Sequence, residues 1–78
     1  MQFYYFDYSR VKKRMQEMNI TLAEVADTMN ISEQSLDKKL SNTEEFTLTE
    51  IDSFATSVLK LSPQLIPDYF FTSKVQKL

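Results

Sequence analysis

Residues 21–41, TLAEVADTMNISEQSLDKKLS, constrain the fold more tightly than any other stretch of the chain. Apolar residues fall at Leu22, Val25, Ala26 and Met29, then at Ile31, Leu36 and Leu40, the spacing of two short amphipathic helices. Ala26 is small where two helices must approach closely, and Asn30 stands where the chain leaves one helix and turns to the next. Ser32 is placed as the N-cap of the second helix. This is the sequence form of a helix-turn-helix, a motif whose second helix can enter a DNA major groove.

The same periodicity extends on both sides of the motif. Residues 2–6, QFYYF, are aromatic and strand-like. A first helix is predicted over about 9–18, capped by Asp7 or Ser9, with Val11, Met15 and Met18 on its inner face. Thr21 caps the second helix, and Glu24 three residues later makes a capping box. The third helix follows Ser32 and ends near Leu40. Residues 41–45 read as a polar loop, after which Phe46 returns to the core. Thr47 or Thr49 caps a fourth helix over about 48–61, with an apolar stripe of Leu48, Ile51, Phe54, Ala55, Val58, Leu59 and Leu61. Ser62-Pro63 restarts a short fifth helix, over about 63–66 or onward to Tyr69. The tail after Tyr69 alternates in a way that suits a strand pairing with 2–6. The expected fold is therefore all-α, a compact five-helix domain over residues 1–78, with short β pairing of the termini as an addition.

Composition removes several classes of function. The chain of 78 residues has no cysteine and no histidine, so no disulfide framework, thiolate chemistry or ordinary zinc site is expected. It has no glycine, which excludes glycine-rich phosphate loops and leaves the turns to Asn, Asp, Ser, Thr and Pro. No nucleophile–base pair or metal set stands out, so neither an enzyme nor a cofactor is expected. The N-terminus is too short in apolar residues for a signal peptide, and nothing approaches the ~20 apolar residues of a membrane span. These features, with the missing cysteines, suit a cytoplasmic location. The formal net charge is −2, opposite to that of phosphate-binding proteins as a class. The charges are segregated, however. Arg10, Lys12, Lys13 and Arg14 cluster on one segment, with Lys38 and Lys39 on another, while Glu44, Glu45, Glu50 and Asp52 gather downstream as a solvated acidic surface.

Residues 9–66 resemble the DNA-binding domains of phage repressors and Cro proteins. The stretch ITLAEVADTMNISEQSLDKKL carries the likeness: a capped second helix, an A-E-aliphatic-A core, a turn and a capped recognition helix. FDYSRVKKRM, KLSNTEEFTLTEI and IPDYFFTSKV look like the flanks of small phage-encoded helix-turn-helix proteins of Gram-positive hosts. The resemblance implies a repressor-like transcription regulator in a lysis–lysogeny switch within a bacterial host cell. It would bind double-stranded operator DNA as a homodimer.

Base contacts would come from Glu33, Gln34, Asp37 and Lys38 on the third helix. Phosphate contacts would come from Arg10, Lys13, Arg14, Thr21, Ser32, Ser35 and Lys39. The chain departs from the family pattern in three places. Leu22 stands where the family often has a phosphate-binding glutamine, Glu33 and Asp37 bring carboxylates to the recognition helix, and Asn30 replaces the usual turn glycine. The alternative reading is a modulator or antirepressor that docks on a partner repressor protein instead of DNA.

Overall fold

The structure is a computed structural model that describes the backbone of residues 2–77 and the side chains of residues 6–73. Strand β1 (Gln2–Phe6) leads into helices α1 (Ser9–Glu17), α2 (Leu22–Met29) and α3 (Glu33–Leu40). Helix α4 (Leu48–Asp52) continues as a π-helical segment (Ser53–Val58), and a 3-10 turn (Pro63–Leu65) runs into α5 (Ile66–Phe70). Strand β2 (Ser73–Lys77) closes the chain by pairing antiparallel with β1, Gln2 opposite Lys77 and Phe6 opposite Ser73. The fold is mostly helical, with a two-stranded ribbon made by the termini.

The helix ends follow from local hydrogen bonding. The Thr21 hydroxyl accepts the Glu24 amide at 3.2 Å, and the Ser32 hydroxyl accepts the Ser35 amide at 3.0 Å. Each satisfies an amide that has no partner within its own helix. At α1 the N-cap position falls on Tyr8, not on Asp7 or Ser9, without a side-chain cap bond, and the Asp7 carboxylate accepts the Ser9 amide at 2.9 Å. Thr47 caps α4 in a reciprocal capping box with Glu50. Ser62 occupies the N-cap position before Pro63 without a side-chain bond.

With no glycine available, the chain turns out of its helices on asparagine. Asn19, Asn30 and Asn42 all take the left-handed conformation, at φ 56°, 59° and 64°. After each one the next amide reaches back to the last helical turn: Ile20 to the Met15 carbonyl, Ile31 to Ala26 and Thr43 to Lys38. These are Schellman closures with asparagine in the glycine position.

The expectation of a fourth α-helix over 48–61 is corrected. The α-helix proper ends at Asp52, the turns widen into the π-helical segment, and the chain reverses at Lys60, φ 57°. The widened turn places Phe54, Ala55, Val58 and Leu59 together in the core, all buried. Leu48, assigned to the apolar stripe, is 79% exposed instead, because it opens α4 before the inward face begins.

The buried residues form one cluster, with Phe54, Phe70, Leu36, Leu59, Val11 and Val25 fully enclosed. Each such side chain contributes about 1.5–3 kcal/mol relative to leaving it in water. Phe46 packs on this cluster edge-on to Tyr8, Phe54 and Phe70, with ring centroids 5.5–6.1 Å away.

Candidate nucleic-acid interface

Helices α2 and α3 are joined by residues 30–32 and packed on each other through small and aliphatic side chains. Val25 and Ala26 of α2 are buried, as are Leu36 and Leu40 of α3. Pinning α3 from behind by residues four apart fixes which face it shows to solvent. That face carries Glu33, Gln34, Asp37 and Lys38, all exposed, so the four residues expected to read bases do lie together on one open surface.

The seven phosphate candidates divide. Thr21 and Ser32 sit at the N-termini of α2 and α3; their hydroxyls accept amide bonds and each keeps its own proton to donate. Ser35 is half-buried and donates to the Glu44 carboxylate at 3.4 Å. Arg10 and Lys13 are exposed on α1 but border a shallow cleft with Glu17 and Tyr69, on the side of α5.

Arg14 and Lys39 have partners within the fold. The Arg14 Nε donates to the Leu59 carbonyl at 3.2 Å, tying α1 to the end of the π-helical segment. Lys39 is 8% exposed; its ammonium lies 2.9 Å from the Glu50 carboxylate, donates to the Glu45 carbonyl at 3.0 Å and stands 6.0 Å over the Phe46 ring. Lys39 is thus held inside the fold, while Arg14 is half-buried with its Nε engaged.

Lys12, outside the seven candidates, is also exposed on α1. It borders a groove with Gln16, Ile20, Leu22 and, across on α3, Asp37 and Leu40. The signal was in the sequence: Lys12 and Gln16 share one side of α1, while Arg10, Lys13 and Glu17 share another. Treating the basic residues of α1 as a single cluster hid that split.

Electrostatics on the α3 face are mixed. Glu44 approaches Lys38 at 3.9 Å, so the one cation among the four base-reading candidates already has a carboxylate beside it. Behind the face, burial pushes the Glu50 carboxyl up. The Thr47 amide and the Lys39 ammonium outweigh it and hold the group below its ordinary value of 4.5. Among the described residues no group of His, Cys, Asp or Glu is arranged to hold a metal ion, and no helix is long and apolar enough to cross a membrane.

The sequence profile of a family described as "Protein of unknown function (DUF739)" matches residues 4–73. The chain belongs to the DUF739 family. The matched span holds all five helices and every residue of the α3 face, so α2, α3 and the turn between them lie wholly within the DUF739 region. No curated protein matches the chain.

Proposed function

We propose that this DUF739 protein is a phage or prophage transcription regulator that binds operator DNA through α3. The observation that carries the reading is the single open face of Glu33, Gln34, Asp37 and Lys38 on a short helix held rigidly from behind by Leu36 and Leu40. Gln34 has the donor–acceptor pair that matches adenine, Lys38 suits guanine, and Glu33 or Asp37 accepts from a cytosine amine. Thr21, Ser32 and Lys12 flank this face as phosphate ligands, with Arg10 and Lys13 farther along α1. Two protomers on half-sites about one helical turn apart would occlude a promoter. The protein would act in the cytoplasm of a bacterial host.

The second reading, a modulator that docks on a partner repressor, is favoured by one feature. With Lys39 turned inward, the α3 face holds two carboxylates against one cation, a charge balance that suits a basic protein surface.

A gel-shift assay with DNA from around the protein's own gene separates the two. The expected result is retardation at about 50 mM salt that fades towards 200 mM, weakened by Gln34→Ala and by Lys38→Ala. No retardation at low salt would overturn DNA binding, and stoichiometric capture of a co-encoded repressor would establish the second reading.

A further inference from the structure

An open groove of about 300 Å³ lies between the end of β1, the loop after α3, the start of α4 and the end of α5, meeting the α3 face only at Glu44. Its floor is aromatic. Tyr8 meets Phe46 at 5.5 Å and Phe70 at 6.3 Å, both edge-on. Its rim gathers Phe6 and Phe71, each 42% exposed and stacked edge-on at 6.0 Å, with Leu48 at 79%. Among the described residues only one other large apolar side chain, Leu65, is exposed. Three of four at one groove is a patch rather than scatter. Helix formation does not need Leu48 there, since the start of α4 is stabilised by Thr47 and Glu50.

The polar groups of the groove share one sign. Among the described residues, Glu44 and Glu45 are its charged lining, with no lysine or arginine beside them. Tyr8 is 7% exposed as a residue, its ring forming part of the groove floor. Burial, and then the Glu45 charge, raise the Tyr8 pKa above 10.0, which keeps the phenol protonated and able to donate.

We propose that this groove docks a segment of a partner protein that presents an apolar side chain next to an arginine or lysine. The apolar side chain covers Phe6, Leu48 and Phe71. The cation reaches Glu45 and Glu44. A second copy of this chain in a two-fold arrangement fits less well, because it would bring two sets of Glu44 and Glu45 together. Nucleic acid is repelled by the same carboxylates. The inference does not rest on DNA binding by α3.

Selection of random displayed short peptides on the folded full chain tests it. Enriched sequences are expected to combine a large apolar residue with a nearby Arg or Lys. A synthetic copy of the best one should lose about tenfold or more in affinity against Leu48→Glu and against Glu45→Lys, losses typical of anchor residues. Both positions are exposed, and circular dichroism checks that the variants remain folded. DNA retardation should survive Leu48→Glu, which separates this outcome from that of the operator assay. No enrichment, enrichment of acidic sequences, or peptide binding unaffected by Leu48→Glu would each overturn the proposal. So would self-association of the chain abolished by Leu48→Glu, which would assign the groove to a second copy.

Discussion

The ammonium of Lys39 lies 2.9 Å from the carboxylate of Glu50, and this contact joins the C-terminal end of α3 to the capping box that starts α4. One carboxylate oxygen of Glu50 also accepts the Thr47 amide, so a single side chain both caps α4 and holds Lys39. The pair explains why a lysine on the recognition-helix candidate points inward, and it fixes the angle at which α3 is presented.

Lys39→Ala removes the cation and leaves Glu50 with its amide bond alone. Both side chains retain slight solvent access, so the expected loss is about 1–3 kcal/mol rather than that of a fully buried pair. Chemical denaturation at neutral pH measures it. Glu50 is held below its ordinary 4.5, so its contribution is present above that pH and is lost as pH falls through the lower, folded value. Acidification should therefore narrow the gap between wild type and Lys39→Ala; a gap unchanged at low pH would show that the ion pair is not its source.

Lys60 is the one positive-φ residue among the described residues that is not asparagine. A side chain with a Cβ costs about 1–2 kcal/mol there. Lys60→Gly is expected to stabilise by about 1 kcal/mol, raising Tm by about 4–8 °C for a domain of this size. Asn30→Gly should be tolerated, while Asn30→Val, β-branched at the same φ, should lower Tm. Thermal unfolding followed by circular dichroism decides both.

Glu44 sits between Lys38 at 3.9 Å and Ser35 at 3.4 Å. If α3 contacts DNA, Glu44 competes with phosphate for both groups. Glu44→Gln is expected to tighten DNA binding by about 2–5-fold, in keeping with the value of an exposed ion pair. Fluorescence anisotropy with a labelled duplex measures the change, and weaker binding by the variant would contradict it.

The cations of α1 and α3 separate in the same assay. Lys12→Ala should weaken binding across DNA sequences and lower the salt slope by about 1. Arg14→Ala should reduce stability by freeing the Leu59 carbonyl while leaving the salt slope of the folded protein unchanged.

Caps and apolar spacing made most of the helices legible in the sequence. Thr21, Ser32 and Thr47 cap where their positions before apolar runs indicate. The alternation of the tail matched its antiparallel pairing with residues 2–6. The end of the fourth helix was not legible, because a 3.6-residue period fits Phe54 to Leu61 until the core demands a wider turn. The burial of Lys39 and the hydrogen bond of Arg14 were also hidden. Their partners, Glu50 and the Leu59 carbonyl, lie on other elements, and local pattern carries no information about such pairings. The four exposed residues of α3 were legible because burial of Leu36 and Leu40 dictates the opposite face.

The most direct test of α3 as the DNA-reading helix is amide chemical-shift mapping of the folded protein titrated at low salt with a duplex from its own regulatory region. The expected result is that the largest shifts fall on residues 33–38 and at the start of α2 around Thr21, and that raised salt reverses them. Saturating DNA with no shift on α3, or shifts confined to the aromatic groove of Phe6, Leu48 and Phe71, would contradict the account.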